Sequence, residues 1–222
     1  YSVNTTAGFS IVTYKGNGTA GHTIPHHLGA APRFIIVKNL DDTQSWLVGT
    51  TARGYTKNLH LNETGSIETS STIWNDTAPS STVFTVGTNS KCNTNDADYI
   101  AYLFTDIKGY LKTGMYYGNG TSGDPYVHLG FKPTFLLIKN SDATQSWRLV
   151  DAKRFGYNPK NIQLYPNLTN AESTSEYVID LLSTGFRVIS TDAGVNGNGN
   201  RHIYLAIGQT LVGSNNVCAT AR

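Results

Sequence analysis

The sequence predicts an all-β protein with β-sandwich architecture, built from two tandem repeats of about 100 residues. Three observations lead there. Gly, Ser, Thr and Asn are abundant, Met occurs once, and 13 Tyr accompany many Val and Ile, a composition that favours strands and tight turns over helices. Short β-branched and aromatic segments alternate with clusters of turn residues. The chain is also written twice.

The duplication is legible element by element. Gly16-Asn17-Gly18-Thr19 falls on Gly118-Asn119-Gly120-Thr121, and His27-Leu28-Gly29 falls on His128-Leu129-Gly130. Pro32 meets Pro133, Lys38-Asn39 meets Lys139-Asn140, and Thr43-Gln44-Ser45-Trp46 meets Thr144-Gln145-Ser146-Trp147. "VFTVG" then lies against "FRVIS", and "YIAYLF" against "HIYLAI". This divides the chain into an N-terminal segment, 1–7, a first repeat, 8–108, and a second, 109–222.

In the first repeat the expected strands are Phe9–Tyr14, Phe34–Lys38, Trp46–Thr50, Leu59–Leu61, Val83–Val86 and Tyr99–Phe104. Gly, Pro, Asn, Asp and Ser clusters separate them. The second repeat renews the series and adds a hairpin turning at Ser183-Thr184-Gly185. The one segment with a helical claim is Thr169–Tyr177.

Gly16-x-Gly18-x-x-Gly21 and Gly118-x-Gly120-x-x-Gly123 have the spacing of a phosphate-binding loop. Such a loop needs a helix opening directly behind it, so that free N–H groups and the helix dipole meet the phosphate. Pro25 and Pro125 follow instead, without an apolar helical stripe. The Asn-Gly pairs read as two-residue hairpin turns, with Ile11–Tyr14 folding back onto a strand near Thr19–Ile24.

Bulk charge narrows the function classes. Only 14% of residues are charged and the formal net charge is +2, which gives no field for nucleic acid. No run approaches the roughly 18 apolar residues of a membrane span. Cys92 and Cys218 match no metal spacing, leaving one bridge or two free thiols, of which the free thiols are favoured. Six Asn-x-Ser/Thr sequons compare with about four expected by chance in so Ser/Thr-rich a chain. The Tyr1 start suggests a processed chain or part of a longer one.

No catalytic constellation is present. His22, His26 and His27 cluster, but only His27 has a counterpart, and its expected role, like that of His128, is to hydrogen-bond the turn before Leu-Gly. Asp41, Asp42 and Asp142 sit in loops, where carboxylates commonly cap turns. The 15 acidic residues nominate no glycosidase pair, and there is no nucleophile elbow. No cofactor and no metal site are expected, and the chain is read as a non-enzyme. Trp46 and Trp147, present in both halves, are expected to pack strands. The candidate ligand contacts are Trp74, Tyr55, Tyr116, Tyr117 and Tyr165, taken as exposed aromatic rings meeting sugar or protein.

The order "Y-x-GNG … HLG … IIVK … SW … YIAYLF", with "LYPNLTNAE" and "LLSTGF" in the second round, resembles a domain in virion proteins of tailed bacteriophages. Such domains are frequent in phages of marine and freshwater bacteria, in large tail-fibre or surface proteins. The resemblance implies a structural or adhesive virion module at the particle surface, partnered by other virion proteins and host polysaccharide. A homo-oligomer, with a trimer natural on a fibre, goes with that reading, without nucleic acid or membrane insertion. Two alternatives stand beside it: a capsid decoration protein on the head lattice, and a glycan-degrading tailspike hydrolase.

Overall fold

A computed structural model describes residues 1–154, 158, 162–174 and 178–209; Cys218 lies outside the described residues. The protein is all-β, and it divides into two units, Tyr1–Asp106 and Ile107–Arg222.

The first unit is a sandwich of unequal sheets. Its large sheet has the order β1-β2-β9-β4-β5-β6-β7 and its small sheet pairs β3 with β8. These strands are β1 (Ser2–Asn4), β2 (Phe9–Lys15), β3 (His22–Pro25), β4 (Phe34–Asn39), β5 (Leu47–Thr50), β6 (Lys57–His60), β7 (Glu68–Thr69), β8 (Val83–Val86) and β9 (Asp98–Phe104). Two single-turn helices, α1 (Ser71–Trp74) and α2 (Ser90–Asn93), join them. Ser2–Asn4, in the segment that the sequence sets apart, is the edge strand paired with β2.

Alternation fixes which side chains meet between the sheets. Val12 of β2, Tyr99, Ala101 and Leu103 of β9, Ile35 and Val37 of β4, and Leu47 of β5 face inward. They pack against Ile24, Phe84 and Val86 of the small sheet and against Ile73, Trp74 and Cys92 of the helices. Cys92 is a free, buried thiol that burial pushes up to about 12.

The second unit stacks a four-stranded sheet, β10-β16-β12-β13, and a three-stranded sheet, β11-β15-β14. Its strands are β10 (Leu111–Tyr117), β11 (Tyr126–His128), β12 (Pro133–Asn140), β13 (Arg148–Asp151), β14 (Ile179–Leu182), β15 (Gly185–Val188) and β16 (Arg201–Gly208). A one-turn helix, α3 (Ala193–Asn196), precedes β16. Leu136, Ile138, Val150, Tyr204 and Ala206 meet Val127, Ile179, Leu181, Phe186 and Val188 in its core. The hairpin expected at Ser183–Gly185 is present, with Leu182 opposite Gly185.

Two expectations are corrected. Thr169–Thr174 is not helical; Ser173 bridges Gln163 as extended chain, and residues 175–177 lie outside the described part. The Asn-Gly segments do open into strands rather than helices, but they are not hairpins. β2 pairs with β9 along its whole length, and β3 pairs with β8. Gly16 N–H donates to Ala97 and Gly18 N–H to Asn93, so the groups that a hairpin would pair internally are taken by the loop ahead of β9. The turn is a corner carrying the chain from one sheet to the other.

Candidate functional site

The loop between β4 and β5 and the neighbouring strand β9 form an open aromatic shelf. On β9 the pleat sends Tyr99 and Ala101 into the core, leaving Ile100 and Tyr102 on the opposite face. Trp46, half-buried, stacks on Tyr102 with ring centroids 6.4 Å apart and planes 24° from parallel. A groove of about 480 Å³ runs beside them, lined also by Lys38, Leu40, Asp41 and Asp42.

Asn39 builds the loop. Its Oδ1 accepts from the N–H groups of Asp41 (2.9 Å) and Asp42 (3.1 Å), an Asx-type turn. Its amide nitrogen donates to Ser90 O and the Tyr99 hydroxyl. Asp42 then accepts from Gln44 Nε2 at 3.0 Å and Thr43 N at 2.7 Å. These bonds, the Gln44 amide first, hold its carboxyl below the usual range. Lys38 Nζ donates to Asp42 O at 2.9 Å, and Asp41 Oδ2 accepts from Asp98 N at 2.7 Å. The result is an apolar ring surface bordered by oriented polar side chains.

The second unit does not repeat this surface. Trp147 is 0% exposed, Leu205 stands at the Tyr102 position, and Ala143 at the Asp42 position. Lys139 is buried and spends its ammonium on the carbonyls of Asn140 and Ala143.

All five aromatic rings nominated from sequence lie elsewhere. Trp74 and Tyr55 are core residues, 1% and 5% exposed, packed edge to face at 5.9 Å. Tyr116 is buried, stacked on His202 at 4.9 Å, with its hydroxyl donating to Val195 O. Burial pushes the Tyr55 and Tyr116 hydroxyls upward. These three rings cannot be exposed contacts, because a strand pleat (Tyr116), a helix turn (Trp74) and the loop ahead of β6 (Tyr55) each point the ring inward. Tyr117, 59% exposed, faces solvent from β10. Tyr165 carries the Arg148 guanidinium 4.6 Å above its ring, so a cation occupies that face. Trp46, expected only to pack, is the ring that sequence reasoning passed over. Its signal was the neighbouring "LDDTQ", which differs from "SDATQ" in the second half.

The histidines also differ from expectation. His26 rather than His27 holds the turn, accepting from Leu28 N and therefore donating through Nε2 to Ser80 O. His27 stacks on Tyr1 at 3.9 Å, and His22 meets Asn93 Oδ1. Among the described residues no three His, Cys, Asp or Glu side chains are placed to hold a metal. Asp142 caps β16 by binding the Arg201 guanidinium and backbone N–H.

A family model described as a domain of unknown function, DUF7483, matches residues 1–210. The chain belongs to the DUF7483 family. No curated protein matches it. Among solved structures, the crystal structure of the STIV MCP aligns with 90% of this chain and 85% of that one, at 8% identity and a TM-score of 0.22. A likeness that slight carries no argument for this DUF7483 chain, whose reading rests on its own residues. Among the described residues, no helix is long and apolar enough to cross a membrane.

Proposed function

We propose that this chain is a surface module of a tailed-phage virion, of the tail-fibre kind, which touches host polysaccharide and catalyses no reaction. The observation that carries the reading is the Trp46–Tyr102 shelf with its bordering Asp41, Asp42 and Lys38. A pyranose ring presents an apolar C–H face and a rim of hydroxyls. The shelf offers an aromatic face and a rim of carboxylates, carbonyls and an ammonium. The phage context comes from the ordered sequence elements that resemble virion domains. A shallow groove binds one sugar weakly, and a fibre gains avidity by presenting many copies at once.

The test has two arms. The protein is titrated calorimetrically against surface polysaccharides of aquatic bacteria, and binding by the wild type that is lost in W46A supports the reading. Equal binding by W46A overturns the site. Immunogold labelling of particles is expected at the tail; label on the head would replace the reading with a capsid decoration role. Oligosaccharides released on incubation would overturn the non-enzyme assignment.

A further inference from the structure

Behind the shelf lies a chain of polar side chains that touches none of the groove. Ser45 Oγ donates to Glu63 Oε1. Glu63 Oε2 sits 2.9 Å from His60 Nδ1, and His60 Nε2 sits 3.2 Å from Lys91 Nζ. An ammonium can only donate, so Nε2 accepts, and Nδ1 carries the hydrogen given to Glu63. The direction of every bond follows: Lys91 to His60, His60 to Glu63, and Ser45 to Glu63 from the other side. His60 is buried, with its side chain 6% exposed, while the Glu63 side chain is 42% exposed.

The same turn grips Trp46 through its backbone. Asn62 Oδ1 accepts from Trp46 N at 2.8 Å, and Leu61 N donates to Trp46 O at 2.9 Å. Residues 61–63 therefore hold both main-chain groups of Trp46 and the hydroxyl of the residue before it. In the second unit the amide half of this clamp recurs, with Asn167 Oδ1 accepting from Trp147 N at 3.0 Å. The carboxylate half does not, since Leu168 follows Asn167 where Glu63 follows Asn62. The buried Trp147 is held by the packing around it. The half-exposed Trp46 lacks that packing on its open face, and it is the one backed by the polar chain.

We propose that Lys91, His60 and Glu63 are positioning residues that fix the Ser45–Trp46 corner and so preset the Trp46 ring for its ligand. The proposal rests on the shelf being the glycan contact. A ring ordered before binding spares the ordering cost at the moment of binding. Loosening it weakens affinity by about three- to tenfold. The charged and titratable groups that face Glu63 are His60 on its own turn and Lys91 of α2. Burial opposes the Glu63 charge, but the Ser45 hydroxyl and the His60 and Lys91 groups outweigh it and hold the carboxyl below its ordinary 4.5. The Ser45 and His60 bonds to the Glu63 carboxylate are thus kept while that carboxylate is charged, and they weaken as pH falls through its lower folded value.

Acrylamide quenching of intrinsic fluorescence reads this directly, because Trp74 and Trp147 are 1% and 0% exposed and Trp46 dominates the quenchable signal. In E63Q the quenching constant is expected to change at neutral pH with an unaltered circular dichroism spectrum. The wild type is expected to show the same change as pH falls below 4.5, and E63Q to lack that step. E68Q, which alters a carboxylate on β7 outside the chain, is expected to behave as wild type. Unchanged quenching in E63Q, or an equal change in E68Q, overturns the proposal. Altered quenching in E63Q with no polysaccharide binding by any of the proteins supports the clamp and removes the glycan reading of the shelf.

Discussion

Asn93 and Asn196 close the two glycine corners with the same bonds. Asn93 Oδ1 accepts from Asn17 N at 2.8 Å, and its amide nitrogen donates to Thr19 O and Gly87 O. Asn196 Oδ1 accepts from Asn119 N at 2.9 Å, and its amide nitrogen donates to Thr121 O and Ser190 O. Both side chains are 0% exposed. Each lies on a one-turn helix just ahead of the strand that fills the middle of its sheet. Replacing either by Ala strands several buried backbone groups, each costing about 1–3 kcal/mol. N93A and N196A are each expected to lose about 3 kcal/mol or more in urea denaturation. A loss below 1 kcal/mol in both would show that water replaces the amide.

Gly16 and Gly118 are required for closeness rather than for their own backbone angles. A Cβ on Gly16 would lie 2.1 Å from Thr94 O, and one on Gly118 would lie 2.4 Å from Gly197 O. Backbone stands on the far side of each contact, so the corner cannot yield without shifting the following strand. G16A and G118A are expected to cost about 2–4 kcal/mol each, in the range of severe overpacking. Thermal melts check this, and a melting point unchanged within error in either variant rejects the contact.

Trp46 and Trp74 give opposite responses. Truncating the buried Trp74, which lies against Tyr55 and Gly49, is expected to cost about 3–5 kcal/mol. W74F loses less, because the indole N–H has no hydrogen-bond partner among the described residues. W46A, at the half-exposed shelf, is expected to cost about 1 kcal/mol from the lost Tyr102 stacking. Equal destabilisation by W46A and W74A would mean that the shelf is part of the core.

Lys139 makes stability rise with pH over a defined interval. Burial lowers its ammonium from 10.5 to about 8. Between those values the unfolded chain holds a proton that the folded chain has released, so unfolding becomes less favourable as pH climbs. The full interval corresponds to at most about 3 kcal/mol, and the two carbonyls that accept from Nζ reduce it. Urea midpoints measured from pH 8 to 10 are expected to increase in the wild type and stay level in K139M. The window closes near pH 10, above which the half-buried Tyr14 and the buried Tyr116 hydroxyls oppose ionisation and favour unfolding. A flat wild-type profile would mean that Lys139 keeps its proton when buried.

Strands were the most legible part of the sequence, since alternation of inward and outward side chains is a local signal. Val12, Tyr99, Ala101 and Leu103 fall where that alternation puts them. The corner at Asn17-Gly18 was legible as a turn but not as this turn. Its partner, Asn93, sits far along the chain, and a strong short-range hairpin preference concealed it. The aromatic site was the least legible. Trp74 and Tyr55 stand in polar surroundings in the sequence and yet point inward from a helix turn and a loop.

By itself the sequence determined the all-β class, the strand segments and the absence of a helix behind either glycine run, because each depends on neighbours a few residues apart. Only the tertiary structure decided which tryptophan meets solvent. Trp46 and Trp147 share the same "TQSW" approach, and local preference cannot separate them. Burial is set by what arrives from distant strands: Tyr102 beside one indole and complete enclosure around the other.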